Sequence, residues 1–117
     1  MSSFGSASFT HALADLSGVA AASLRDPALL GGLLVAAAGA LGVASIAPPT
    51  IRQQPDESVS GVLLLDGCHI ALHSVPSQGI LMLDVLAPVN RDVRKAIEVF
   101  SRRLAPRAIA QEERERG

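Results

Sequence analysis

The sequence has no tryptophan or tyrosine, one cysteine, three phenylalanines and few charged side chains. A single cysteine excludes an internal disulfide and a cysteine-rich metal site, and it fits a reducing, cytoplasmic compartment. With so few aromatic rings, the chain has little surface on which a flat ligand can stack. Charged residues make up 18% of the chain and the net charge is −1, which excludes a basic footprint for nucleic acid or for an anionic membrane surface.

What the sequence does have is apolar material for a core. Hydrophobic residues make up 49% of the 117, which argues against disorder and predicts one domain over residues 1–117. The segment Met1–Ser8 is small and polar, so we expect it to fray. It also lacks the basic start of a signal peptide.

An uncharged stretch runs from Pro27 to Thr50. Its first part predicts a helix, with Asp26 as N-cap, a proline in the first turn and Gly42 as the stop signal. A short strand is predicted at Val43–Ile46. The stretch leaves a membrane-associated protein as an alternative, but its alanine- and glycine-rich composition favours a buried helix, so we expect no membrane contact.

The remaining apolar runs predict a sheet and a second helix. Asp92–Leu104 has the periodicity of an amphipathic helix, with Asn90 as its N-cap, and Gln111–Gly117 is expected to be a solvated tail. Strands grouped around two helices predict an α+β fold: a two-layer α/β sandwich whose mostly antiparallel sheet has two helices on one face. The further strands are expected at Phe9–Leu16, Val59–Leu65, Ile70–Val75, Ile80–Leu86 and Ala108–Ala110.

The residues with chemical potential crowd into the segment GVLLLDGCHIALHSVP at residues 61–76. His69 and His73 are four positions apart, which on a strand separates them by about 13 Å, too far to share a metal ion. We therefore expect no metal. Cys68 and His73 have opposite parity on a strand, so they meet only if the chain bends near Gly67.

Cys68 is a candidate nucleophile, because a thiolate beside a histidine is reactive. After the turn signal Asp66-Gly67, it could attack the carbonyl of residue 67 and form a thioester. Elimination would leave a dehydroalanine, which hydrolyses to a pyruvoyl group, an electron sink for decarboxylating an amino acid. The alternative is a small buried core residue, which physical arguments alone favour.

Two segments of the chain resemble a known family. VSGVLLLDGCHIALHSVPSQGILMLDV at residues 59–85 resembles the processing region of the short bacterial S-adenosylmethionine decarboxylases. That region has a V-S-G-V strand, then E-S-H-(I/L)-(S/T)-I-H-T-W-P-E, then a glycine and a V-D-V strand. HALADLSGV at residues 11–19 resembles the family's opening H-L-L-A-D-F-Y-G-C, and the closing ERERG also fits, so the resemblance covers most of the chain.

The resemblance implies roles for three residues. Cys68 stands where the family has the serine that becomes the pyruvoyl cofactor, so the implied self-cleavage lies between Gly67 and Cys68. His73 and Ser60 match the histidine and the serine that assist processing. The family also implies a homodimer of processed chains, and a product, decarboxylated S-adenosylmethionine, that donates aminopropyl groups to spermidine in polyamine biosynthesis.

Four positions depart from the family pattern. Gly67 replaces the glutamate before the cleavage residue, Val75 and Ser77 replace the tryptophan and glutamate after the second histidine, and Pro88 falls where the family has a catalytic cysteine. The substrate is therefore either S-adenosylmethionine or a smaller amino-acid analogue. Asp84 and His11, polar residues within apolar strands, are candidates to replace the missing proton donor, and a buried, hydrogen-bonded carboxylate is the equal alternative for Asp84.

Two functions follow. The first is a pyruvoyl-dependent decarboxylase with a cofactor made from Cys68, motivated by the retained Ser60, Cys68 and His73. The second is a catalytically inactive paralogue that acts as a dimer partner or regulator, including as a heterodimer with an active paralogue. It is motivated by the combined departures at the four positions.

Overall fold

The computed structural model describes residues 7–117. The expected fraying of Met1–Ser8 falls almost wholly outside this range. The strands are β1 Phe9–Ser17, β2 Thr50–Gln53, β3 Val59–Leu65, β4 Cys68–Val75, β5 Ile80–Pro88 and β6 Ala108–Arg116. The helices are α1 Ala21–Leu24, α2 Pro27–Leu41 and α3 Val93–Leu104, and a single 3-10 turn spans Pro76–Gln78.

The strands form one antiparallel sheet in the order β2-β3-β4-β5-β1-β6. Strands β3, β4 and β5 follow one another in the chain and lie side by side, because short turns can join antiparallel neighbours. Strand β1 lies between β5 and β6, so the first strand of the chain pairs with two late ones.

One face of this sheet is buried under α2 and α3. Every second residue of β3, β4 and β5 points to that face, and Leu63, Ile70 and Val85 there are fully buried. Helix α2 packs on β3, and α3 packs on β1 and β5, with Phe100 of α3 also fully buried. The predicted α/β sandwich with two helices on one face is confirmed, and α1 adds one short helical turn.

The opposite face, which we call the open face, is not covered by a helix from residues 7–117. Leu13, Leu64 and Met82 lie on it and are 41%, 52% and 42% exposed. Antiparallel sheets often leave one face to water, but such a face is then mainly polar. Large exposed apolar side chains on a sheet face indicate a surface that meets a partner.

Helix α2 begins and ends where its sequence predicts. The Asp26 carboxylate accepts a hydrogen bond from the backbone N–H of Leu29 at 3.0 Å, and Gly42 ends the helix with a φ of 72°. Among the described residues, no helix is long and apolar enough to cross a membrane.

Three predictions of local structure are wrong. The Val43–Ile46 segment is not a strand and makes a single bridge, between Ser45 and Leu65. The N-cap of α3 is Asp92, whose carboxylate accepts from the N–H of Arg94, rather than Asn90. The supposed solvated tail from residue 111 is the greater part of β6, with exposed side chains held in place by backbone pairing to β1.

Ser74 tests the packing of the buried layer. It is 4% exposed, and its Oγ accepts from the N–H of Val59 at 2.8 Å and donates to the carbonyl of Leu24 at 2.7 Å. Ser74→Ala leaves both backbone groups unpaired in the core, so we expect it to lower the free energy of unfolding by about 1–3 kcal/mol. Urea denaturation measures this. Ser101→Ala is the control, because Ser101 is only half-buried and its hydroxyl bonds within its own helix, to the carbonyl of Glu98. Equal stability of the two variants would contradict the assignment.

Candidate active site

The turn between β3 and β4 carries the predicted cut site. Leu65 pairs with Cys68 across it, which leaves Asp66 and Gly67 as its two exposed residues. Gly67 has a φ of 78°, a left-handed conformation that glycine adopts without strain. A Cβ built on Gly67 meets no atom within 4 Å. The residue before Cys68 is therefore open to approach from outside.

Cys68 itself points the other way, into the core. It is 6% exposed, and its Sγ lies 3.9 Å from the carbonyl oxygen of Asp66. Burial raises the pKa of the Cys68 thiol, and the nearby negative charge of Asp66 raises it further. In the uncut chain the Cys68 side chain is a packed thiol rather than a thiolate, because both burial and the negative charge of Asp66 disfavour the charged form.

Ser60 and His73 form a hydrogen-bonded pair on the open face. They stand directly opposite each other on β3 and β4, and the Ser60 Oγ lies 2.7 Å from His73 Nδ1. A hydroxyl bonded to an imidazole is an arrangement that can move a proton. The structure thus brings together two of the three residues to which the sequence assigns a processing role.

The third residue is not brought to this pair. Cys68 is on the core face and His73 on the open face of the same strand. Five residue steps along β4 separate them by about 17 Å. Strand β4 is regular from its first residue. The described chain therefore has no bend that would bring Cys68 and His73 together.

A second polar cluster lies on the open face, nearer to the cut site. Asp84 Oδ1 is 2.7 Å from His11 Nε2 and 3.4 Å from His69 Nε2. These residues belong to β5, β1 and β4, and His11 and His69 flank Leu86 on either side. Within residues 7–117 no group of three or more side chains has the arrangement of a metal site.

A groove of about 590 Å³ follows the open face beside this cluster. Its floor is apolar, with Leu13, Ala71 and Met82, and three carboxylates lie along it. Among residues 7–117, no phenylalanine side chain lines it. The polar groups of its lining are His73, Asp15, Asp84, Gln111 and Glu112.

Sequence patterns alone did not identify Asp15 and Glu112 as part of a site. Asp15 has the same parity as His11 on β1, so an open-face position could have been inferred from the alternation of that strand. Glu112 could not, because the segment containing it was predicted to be a tail rather than a strand. Its register against Leu13 brings it to the groove.

The departures from the family pattern lie at the ends of strands. Val75 is the last residue of β4 and is half-buried, and Ser77 is exposed in the 3-10 turn. Pro88 is the last residue of β5, opposite Phe9. Proline has no proton to give at this place.

Comparison with known proteins identifies one family. The sequence profile described as S-adenosylmethionine decarboxylase matches residues 10–117. The crystal structure of the adenosylmethionine decarboxylase from Aquifex aeolicus is similar to this chain, with a TM-score of 0.87 and 28% sequence identity over 97% of this chain and 93% of that one. A search of curated proteins found no match.

The raised pKa of Cys68 predicts slow alkylation of the uncut native chain. Iodoacetamide reacts with the thiolate, so the native thiol should react more slowly than the same thiol in urea, and its rate should rise only at a higher pH. Intact mass against time at several pH values measures both. A native rate that equals or exceeds the unfolded rate at neutral pH would show a stabilised thiolate instead.

Proposed function

Because the chain belongs to the S-adenosylmethionine decarboxylase family, we propose that it is a self-cleaving, pyruvoyl-dependent decarboxylase that works as a homodimer in the cytoplasm. The observation that carries the proposal is the pairing of Ser60 with His73 at 2.7 Å on an exposed sheet face. Ser60 and His73 are the residues that would transfer protons during processing, and Cys68 would be the nucleophile next to the exposed turn.

The residues around position 68 fit a pyruvoyl group. Gly67 adds no side-chain bulk to the carbonyl that must be attacked, and its surroundings are open. The Cys68 Sγ would bond to that carbonyl carbon while the Gly67–Cys68 peptide bond breaks and the nitrogen takes a proton. Loss of the Cys68 α-proton then breaks the Cβ–Sγ bond, so the sulfur leaves on Gly67 as a thiocarboxylate. Water releases ammonia from residue 68 and leaves the pyruvoyl group, which supplies an electron sink for decarboxylation.

A homodimer would complete a site that one chain leaves incomplete. In a single chain the Ser60–His73 pair lies about 17 Å along β4 from Cys68 and on the other face. The open face has exposed apolar residues, including Leu64 and Met82, and isologous pairing of two such faces is the commonest form of assembly. In this arrangement His73 of one chain serves the turn at Gly67 of the other.

The groove supports a cationic substrate of amino-acid type. Asp15, Asp84 and Glu112 line it, and no lysine or arginine of the described residues does. Carboxylates stabilise a positive charge in a substrate such as the sulfonium of S-adenosylmethionine or the side chain of a smaller basic amino acid. Among the described residues, the lining has no phenylalanine, tyrosine or tryptophan. This favours the smaller molecule, because an adenine ring finds only the His73 imidazole as a stacking partner.

The second candidate function is an inactive paralogue that partners an active chain. It is favoured by the buried thiol with its raised pKa and by the separation of Cys68 from the Ser60–His73 pair within one chain. The two functions differ in whether the chain is cut.

Intact mass under denaturing conditions tests the cut. We expect two fragments, residues 1–67 and residues 68–117, the second blocked at its N-terminus and the first carrying sulfur at its C-terminus until water hydrolyses it. Cys68→Ala should remain whole, and Cys68→Ser, which keeps a nucleophile, should still be cut. A wild-type chain that stays whole at 12.1 kDa would favour the inactive paralogue.

Mixed variants test whether the two chains share a site. Cys68→Ala lacks the nucleophile and His73→Ala lacks the imidazole, so each expressed alone should stay whole. When the two are expressed together, the His73→Ala chain should be cut, because the partner supplies the imidazole. The variants differ in mass and need no tags. If neither chain is cut in the mixture, processing does not occur across a dimer.

A further inference from the structure

The cluster of His11, Asp84 and His69 lies between the cut site and the groove. Along β4, His69 directly follows Cys68 and precedes Ala71, which lines the groove, and Asp84 lines the groove itself. The other open-face imidazole on β4, His73, is four positions further along the strand. After a cut before Cys68, residue 68 would be a free chain end at the start of β4 rather than a side chain fixed in the core. A substrate that reacts at this chain end and extends along the open face into the groove passes over the cluster.

Within the cluster the hydrogen bonds define distinct roles. The Arg116 guanidinium lies 3.4 Å from His11 Nδ1, and because a guanidinium only donates, this nitrogen accepts. His11 is then the tautomer whose Nε2–H donates to Asp84 at 2.7 Å. His11 and Arg116 together hold the carboxylate of Asp84 in one orientation.

His69 is the loosely held member. Its Nε2 is 3.4 Å from the same oxygen of Asp84, and its side chain is 35% exposed. Within the described residues it has no other ion-pair partner. The charged and titratable groups facing the cluster are Arg114 and Arg116 from β6, and Glu112 in the next row of side chains. A carboxylate behind an exposed imidazole is the arrangement that stabilises the imidazolium during proton transfer.

We propose, on the premise of the decarboxylase function above, that His69 donates the proton that replaces carbon dioxide on the substrate. The bond between the substrate's α-carbon and its carboxyl carbon breaks, carbon dioxide leaves, and the electron pair stays with the substrate. The α-carbon then bonds to a proton from the His69 imidazolium, and solvent returns a proton to the ring. Asp84 and His11 are positioning residues that act through His69.

A purely structural role for the cluster has different consequences. A polar row across β1, β5 and β4 could serve only to hold these strands together. Its loss would then lower stability and leave the kinetics of the folded enzyme unchanged. A proton donor, in contrast, contributes typically about 10²–10⁴-fold to the rate of the chemical step.

His69→Gln and Asp84→Asn test the proposal in processed enzyme. We expect both variants to be cut as the wild type is, judged by intact mass. Carbon dioxide release in a single turnover should fall by about 10²–10⁴-fold in His69→Gln, with KM little changed. It should fall by a smaller factor in Asp84→Asn, whose KM should also rise because Asp84 lines the groove. Glu98→Gln, an exposed change on α3, is the charge control for Asp84→Asn.

Nitrogen-15 NMR of the imidazoles gives a readout independent of activity. In the wild type, His11 should have the proton on Nε2. Asp84→Asn should shift the signals of His11 and His69 and leave those of His73 unchanged. If the His69 signals do not change in Asp84→Asn, His69 is not coupled to Asp84, and the inference is overturned.

The outcomes separate the two proposals. A cut wild type whose His69→Gln variant turns over at the normal rate would overturn the role of His69 and leave the decarboxylase function standing. A wild type that is never cut would overturn both. Urea denaturation shows whether His69→Gln folds. If it does not fold, Asp84→Asn tests the proposal in its place, because a normal rate and KM in that variant would equally contradict the proposal.

Discussion

The alternation of side chains along β4 determines what each of its residues can reach. Cys68, Ile70, Leu72 and Ser74 point to the core, and His69, Ala71 and His73 point to the open face. Because β3 and β5 pair with β4 in register, they bring Ser60 opposite His73 and Asp84 next to Ala71. The polar groups therefore share one face of the sheet, and the one thiol lies on the other.

The position of Cys68 at the end of β4 would reconcile two demands that the proposed processing makes of this residue. A buried thiol with a raised pKa packs well as a small apolar side chain, but a nucleophile must leave that packing. Cys68 is the first residue of β4, directly after the exposed turn. Strand ends open at lower cost than strand centres, so releasing this residue for reaction disturbs little of the sheet. A position in the middle of β4 would not combine burial with release in this way.

The sequence predicted the central strands and helix α2 because their signals are local. Continuous apolar runs marked β3 and β5, and Asp26 and Gly42 marked the ends of α2. Of β6, only the first three residues, Ala108–Ala110, were predicted to be a strand. The rest was missed because its side chains are polar or charged and exposed, and its order comes from backbone bonds to β1, more than ninety positions earlier. For the site, Cys68 was found as a candidate nucleophile from the residues themselves, and the processing roles of Ser60 and His73 came from the resemblance. His11 and Asp84 were noticed only as polar residues in apolar strands. Their contact depends on β1 lying beside β5, which no local pattern encodes.

The strand order also explains why the fold can tolerate a cut between Gly67 and Cys68. The first piece would contain β1, β2 and β3, and the second β4, β5 and β6. In the sheet, β3 pairs with β4, and β1 is paired on one side with β5 and on the other with β6. The two pieces thus interleave, and their separation would break all of these pairings and divide a core that both share. Cleavage there would remove only the covalent link in an exposed two-residue turn. The polar residues of the open face would keep their positions, and residue 68 would become a free chain end.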